Sequence, residues 1–257
     1  MPAPIALQLY SIRDLLAADY AAGIRKVAEI GYAGVETAGF PGTTPQVAAQ
    51  LFGELGLTVC SAHSPLPLGD KQAEVLDTLA ALGCSRLVCP WKPQELFASI
   101  DDIRQVCDEL NEANIVARAH GLTLSYHNHW AECALVGGHR AYEIMFAHLS
   151  PEILFEVDTY WAKTAGVDPA VWVRQLGNRA PLLHIKDGPC VMDAPMTAVG
   201  DGVQDVPGIV AAGAGATEWL IVEIDRCATD MMEAVAKSYR YMVGKGLAHG
   251  KRSVRSR

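Results

Sequence analysis

Four short clusters carry the residue types that could do chemistry in this chain. They are Tyr126-His127-Asn128-His129 with Glu132 just beyond, Glu156-Val157-Asp158, His184-Ile185-Lys186-Asp187, and Glu223-Ile224-Asp225. Each closes an apolar run that reads as a buried strand. An unpaired buried charge is strongly unfavourable, so carboxylates and imidazoles at four such places call for a shared purpose. Side chains alternate along a strand, so Glu156 shares a face with Asp158, His184 with Lys186, and Glu223 with Asp225. If Asp158, His184 and Glu223 point to one spot, three metal ligands are assembled there. The fourth would come from His127 or Glu132. Mixed oxygen and nitrogen donors with open positions suit Mn²⁺, Co²⁺ or Zn²⁺, and Mg²⁺ least. The plainer alternatives are a loop cap for Asp158 and a satisfied core histidine for His184. The strand-end positions favour the metal reading.

Further candidates lie nearby in the pattern. Glu36 ends a second apolar run and His63 follows a third, so both would face the same mouth. Trp91, Trp130 and Trp161 sit just past strands, where aromatic walls suit sugar faces or pack under loops. Glycines in Val199-Gly200-Asp201-Gly202 would let backbone approach a ligand, or form a turn. Histidines not used as ligands would orient them or contact substrate. The expected substrate contacts are Glu36, His129, Trp161 and Asp187.

The elements that must position these residues follow one repeated pattern: apolar run, polar loop, amphipathic helix, glycine, next run. Ile30-Gly31, Leu55-Gly56, Leu82-Gly83, His120-Gly121 and Leu176-Gly177 each precede a strand, as left-handed helix caps do. Thr44-Pro45 and Asp168-Pro169 place a capping side chain before a first-turn proline. Eight strands are predicted: 5–9, 34–36, 57–62, 86–89, 122–127, 153–157, 181–185 and 219–224. A helix follows each, the last over 229–243. Eight alternating units in about 250 residues match a single-domain α/β (β/α)8 TIM barrel. A doubly wound open sheet is disfavoured, because Gln8-Leu9-Tyr10-Ser11 stands where a glycine-rich phosphate loop would follow the first strand. The longest irregular stretches, 40–44, 64–71 and 188–203, follow strands and would overhang the active face. The barrel is expected over residues 1–248, with a disordered basic tail over 249–257 that contains Lys251, Arg252, Arg255 and Arg257.

The chain has 257 residues, half of them hydrophobic, and a net charge of -8. That charge disfavours binding to nucleic-acid phosphate. Seven cysteines in odd number, without C-x-x-C, argue for free thiols in a reducing compartment. No signal peptide or membrane span is expected, so the protein is read as cytoplasmic. The expected partner is a small carbohydrate, without nucleic acid or membrane. A homo-oligomer is left open.

The chain resembles the sugar phosphate isomerase/epimerase family of xylose-isomerase-like TIM barrels, from Gln8 to about Val243. The resemblance rests on Gly34-Val35-Glu36, Tyr126-His127-Asn128-His129 with Glu132, residues 155–161 (FEVDTYW), His184-Ile185-Lys186-Asp187-Gly188, Gly200-Asp201-Gly202 and Val222-Glu223-Ile224-Asp225. It implies a divalent metal with Asp158, His184 and Glu223 as the last three ligands. Many relatives place a Glu in the fifth strand, where His127 stands here, and Glu132 is the nearby carboxylate. The implied chemistry is α-proton removal from a keto-sugar or polyol through an enediolate, by Glu223 or Glu132, with Lys186 or His63 neutralising an oxygen. Reprotonation gives an isomer or epimer. Loss of a β-substituent gives instead a dehydratase or lyase of a keto-inositol or 3-keto-glycoside, as in relatives of the inosose dehydratase kind. An endonuclease-IV-like hydrolase is disfavoured by the charge. A non-catalytic sugar-binding barrel would lack the metal.

Overall fold

The computed structural model describes residues 2–251. Its barrel strands are β1 (Ile5–Gln8), β2 (Gly34–Thr37), β3 (Thr58–His63), β4 (Arg86–Cys89), β5 (Thr123–His127), β6 (Leu154–Asp158), β7 (Leu182–Ile185) and β8 (Trp219–Val222). All run parallel, each beside its neighbour in sequence, and β8 closes on β1 through Ile5 and Leu220. This is the expected (β/α)8 barrel, and observed strand ends lie within one or two residues of those predicted.

Local chemistry sets the boundaries. Thr44 and Asp168 accept hydrogen bonds from the backbone N–H groups of Val47 and Ala170, which starts helices Pro45–Leu55 and Pro169–Leu176 at their prolines. Gly31, at φ 111°, ends helix Tyr20–Ile30 in a left-handed conformation closed to most side chains. The last helix starts at Met231 rather than 229, because the Asp230 side chain caps it by accepting from Glu233 N. One feature was not foreseen: a short antiparallel pair, Leu135–Val136 with His139–Arg140, in the connection after β5.

The apolar core forms two shells. Outward-facing residues such as Leu7, Val35, Leu124, Phe155 and Leu183 pack under the helices. Inside the barrel, Ala6, Cys60, Val88, Leu182 and Ile221 form an apolar floor. Two residues further along β1, β7 and β8, the same parity brings Gln8, His184 and Glu223 inward, so the floor gives way to polar groups towards the strand C-termini.

Strand β3 needs a register shift to join that face. Val35 pairs with Val59 but Glu36 with Ser61, so Cys60 is an extra residue. Cys60 belongs to the barrel floor and Ala62 to the outer core. Strict alternation from Cys60 would send Ala62 inward and His63 outward. The bulge reverses the parity, and His63 enters the barrel.

The expected tail boundary at 249 is corrected by three residues. His249 O accepts from Ile5 N, His249 N donates to Ala3 O, and Lys251 N donates to Gly31 O, so backbone pairing holds 249–251 against the bottom of the barrel. Residues 252–257, including Arg252, Arg255 and Arg257, lie outside the described residues. Among the described residues no helix is long and apolar enough to cross a membrane.

Candidate functional site

The polar groups at the C-terminal mouth form two layers joined by two imidazoles. In the inner layer, His63 Nε2 lies 2.6 Å from Glu156 Oε2 and 3.3 Å from Glu36 Oε2. His184 Nε2 lies 2.7 Å from Glu36 Oε2 and 3.1 Å from Glu156 Oε2. His127 Nδ1 is 3.0 Å from Glu156 Oε2. In the outer layer, the opposite ring nitrogens face other carboxylates. His184 Nδ1 is 2.8 Å from Glu223 Oε2, and His127 Nε2 is 3.8 Å from Asp158 Oδ2. Lys186, only 1% exposed, places Nζ 2.9 Å from Asp158, 2.7 Å from Glu223 and 2.9 Å from Asp225.

The ends of β5 and β6 are tied by local hydrogen bonds. Asp158 Oδ1 caps helix Thr159–Thr164 by accepting from Tyr160 N and Trp161 N, which leaves Oδ2 aimed at the mouth. Asp158 is therefore both a cap and a candidate ligand. Asn128 ties β5 to β6: its Oδ1 accepts from Asp158 N and its Nδ2 donates to Asp158 O. Trp130 and Trp161, with ring centroids 4.8 Å apart, form a wall beside His129.

Burial and charge set the protonation pattern. Burial, aided by Glu156, pushes Glu36 up to about 7. Burial raises Asp158 to about 6 against the pull of Lys186. For Glu156, burial is outweighed by His184 and His63, and for Glu223 by Lys186 and His184, so both are held well below the usual range. Burial alone would neutralise His184, but Glu156, Glu36 and Glu223 hold it well above its ordinary value. His127 is left neutral, lowered to about 3 by burial and by the neighbouring His184.

Several expected site residues converge here: Glu36, His63, His127, Asp158, His184, Lys186 and Glu223. Two take other places. Glu132 is 1% exposed and engages both oxygens elsewhere, accepting from Tyr126 OH (2.5 Å) and His129 N (2.9 Å). Asp187 turns into the loop after β7, where it accepts backbone N–H bonds from Gly188, Gly200, Gly202 and Gln204. His129 and Trp161 stand in the aromatic wall. Three members had no role in the expectations: Glu156, Asp225 and Gln8. Parity was the available signal for Glu156 and Asp225. For Gln8 the signal was a lone amide closing the apolar strand Ile5–Gln8.

The donor set fits a divalent ion. Two groups of four, His63-His127-Glu156-His184 and His127-Asp158-His184-Glu223, each bring one ligand atom per residue within 4.8 Å of the others. Asp158 Oδ2, Glu156 Oε1, Glu36 Oε1 and His127 Nδ1 are buried without a well-formed hydrogen bond. Above the cluster opens a cavity of about 870 Å³. Its lining includes the polar His63, His127, His129, Glu223 and Asp225, and the apolar or aromatic Pro65, Leu66, Leu68, Pro90, Trp91 and Trp161.

Comparison with known proteins agrees with this architecture. A sugar phosphate isomerase/epimerase from Parabacteroides distasonis superposes with a TM-score of 0.82 at 24% identity, covering 97% of this chain and 96% of its own. The IOLI protein with a bound zinc atom gives 0.70 at 14% identity, covering 94% and 97%. The probable 3-DHS dehydratase AsbF from Bacillus anthracis gives 0.73 at 10% identity, covering 95% and 99%. At these identities the likeness establishes the fold. No curated protein matches the chain. The model of the xylose isomerase-like TIM barrel family matches residues 24–242, so the chain belongs to that family.

Proposed function

We propose that this protein is a metal-dependent enzyme that isomerises or epimerises a keto-sugar or related polyol. The observation that carries the reading is the outer set of His127, Asp158, His184 and Glu223, buried together at the strand ends, with His127 and Glu223 on the cavity wall. These four residues would hold Mn²⁺, Co²⁺ or Zn²⁺. When bound, the ion would act as a Lewis acid that favours negative charge on a substrate oxygen. Structural neighbours described as a sugar phosphate isomerase/epimerase and as a zinc-bound protein support this choice.

The chain's own groups would handle the proton. Glu223 borders the cavity as an ionised carboxylate with the Lys186 ammonium 2.7 Å away, which places a proton acceptor where a substrate carbon beside a carbonyl would sit. His63 borders the same cavity, and Glu156 holds its Nε2, so its ring is oriented to return a proton. Lys186 would offset negative charge developing near Glu223. Glu132 is a poorer base, since both of its oxygens already accept hydrogen bonds. Seven free thiols are consistent with a cytoplasmic setting.

One observation favours a second reading. The apolar lining residues Pro65, Leu66, Leu68, Pro90 and Trp91 would accept a ring or substituent attached to the sugar. The same α-proton removal followed by loss of a β-substituent would make the enzyme a lyase of a keto-inositol or 3-keto-glycoside. A structural neighbour described as a probable dehydratase is in keeping with this.

The test is solvent exchange. Protein loaded with Mn²⁺, Co²⁺ or Zn²⁺ is incubated in D₂O with ketohexoses, inososes and 3-keto-glycosides, followed by NMR and mass spectrometry. Deuterium entering the carbon beside the carbonyl supports both enzymatic readings. An epimer or isomer favours the first, and an unsaturated product with a released substituent favours the second. Protein that takes up no metal and exchanges no proton would move the sugar-binding barrel to first place.

A further inference from the structure

Two buried residues below the mouth form a chain that ends on His184. Gln8 closes β1 with its side chain inside the barrel, and Glu36 lies beside it on β2. Gln8, Glu36 and His184 are all fully buried. The Gln8 amide is not free to turn, because its Oε1 accepts from Tyr10 N at 3.0 Å. Its Nε2 therefore faces Glu36 and donates to Oε2 at 2.6 Å. The same Glu36 oxygen meets His184 Nε2 at 2.7 Å in a well-formed hydrogen bond.

Ionised Glu36 and Glu223 are both acceptors only, so without an ion each ring nitrogen of His184 carries a proton, and an ion at the outer set would take the place of the Nδ1 proton while Nε2 keeps its bond to Glu36. The other nitrogen, Nδ1, faces Glu223 and the outer donor set. Glu156 competes poorly for the same ring: it stands 3.1 Å from His184 Nε2, while its Oε2 is engaged by His63 at 2.6 Å. A carboxylate that accepts the outer N–H of a ligating histidine fixes its tautomer and raises its basicity.

We propose that Glu36 is a positioning residue that holds the His184 ring through Nε2 so that Nδ1 faces the outer ligand set, and that Gln8 holds Glu36 in place for this task. The inference rests on the metal reading above and deepens it: it selects the outer set over the inner one and gives His184 Nδ1 as the ligating atom. A buried Gln-Glu-His chain could instead serve only to satisfy polar groups in the barrel. That role would show in stability alone, and not in metal affinity or tautomer.

The experiment titrates Zn²⁺ into metal-free wild-type protein and into Glu36→Gln and Gln8→Met, by calorimetry with a competing chelator. Circular dichroism checks that each variant folds. The ¹⁵N NMR spectrum of Zn²⁺-loaded wild type, assigned with a His184→Gln variant, reads the tautomer and so does not depend on the fold of the Glu36 and Gln8 variants. The expected results are a proton on His184 Nε2 with Nδ1 on the metal, and an affinity about 10–100-fold weaker in Glu36→Gln. Gln8→Met should show a smaller loss in the same direction. A proton on Nδ1 with Nε2 on the metal, or wild-type affinity in folded Glu36→Gln, would overturn the positioning role and leave the metal reading standing. Wild-type protein that takes up no Zn²⁺ would overturn the metal reading and this inference with it.

Discussion

Lys186→Met should separate the two ways in which this mouth can balance its charge. The ammonium is buried among three carboxylates, at 2.9 Å from Asp158, 2.7 Å from Glu223 and 2.9 Å from Asp225. At an effective dielectric constant near 20, each contact is worth on the order of 6 kcal/mol before desolvation is counted. Desolvation removes most of that, and taking away one partner of a buried pair costs about 3–5 kcal/mol. Three carboxylates losing one cation place this site at the upper end. For a chain of this size each kcal/mol moves the melting temperature by about 2–4 °C, so metal-free Lys186→Met should melt about 10–20 °C below metal-free wild type. Equilibrium urea unfolding with a chelator present gives the free-energy difference directly. Added Zn²⁺ or Mn²⁺ should then stabilise the variant more than the wild type, because the ammonium no longer competes for Asp158 and Glu223. A metal-free variant within about 1 kcal/mol of wild type would refute the argument from charge burial. Equal metal-induced gains in both proteins would refute the competition between Lys186 and the ion.

Four further variants test the mouth and its loops. A Cβ at Gly202 would collide with Asp187 Oδ1 and the Gly188 backbone, so Gly202→Ala should break the hydrogen-bonded cradle around Asp187 and speed limited proteolysis within 188–203, while circular dichroism stays unchanged. Glu132→Gln should keep wild-type metal content by elemental analysis, and Tyr126→Phe should cost about 1–3 kcal/mol in urea unfolding by leaving Glu132 Oε1 buried without its donor; loss of metal in Glu132→Gln would restore Glu132 to the ligand set. His63→Gln should retain metal and lower deuterium exchange into a responsive keto-sugar by about 10²–10⁴-fold, and unchanged exchange would remove His63 from proton transfer.

The barrel was legible because its signals are local. A capping side chain before a first-turn proline, a glycine after a helix and an apolar run of strand length each act within a few residues. They placed the eight strands to within one or two positions. The mouth was legible as far as parity reaches. Asp158, His184 and Glu223 point where alternation sends them, and the same rule applied to Glu156 leads into the inner layer. Parity fails where register changes. His63 reaches the cluster only through the extra residue at Cys60, which depends on how β3 pairs with β2 and leaves no mark in the sequence of β3 alone. Glu132 and Asp187 were hard to place for a related reason. Their acceptors are filled by backbone N–H groups and a tyrosine hydroxyl, partners that only the folded loops bring together.

The distribution of unpartnered polar atoms bears on whether this mouth is a working site or a polar plug in a barrel. A protein selected for stability alone pairs its buried polar groups or replaces them with apolar ones. Among the described residues, the buried side-chain atoms without a hydrogen-bond partner include hydroxyls, amides and an indole N–H at scattered positions, such as Tyr20, Asn114 and Thr217. Every carboxylate and imidazole atom in that set belongs to Glu36, His127, His129, Glu156 or Asp158, all at one end of the barrel. Ionisable groups are the most costly to bury, and here those without a well-formed hydrogen bond are confined to the C-terminal ends of β2, β5 and β6, at the mouth of the barrel. The inner layer pairs within itself through His63, Glu156 and Glu36, and the outer layer relies on Lys186. A passive barrel gains nothing from this arrangement, since an apolar layer like Ala6, Val88 and Leu182 could continue upward at lower cost. A site that must accept a cation and a polar ligand needs such lone pairs in place beforehand, because ligands already held in position need little reorganisation on binding.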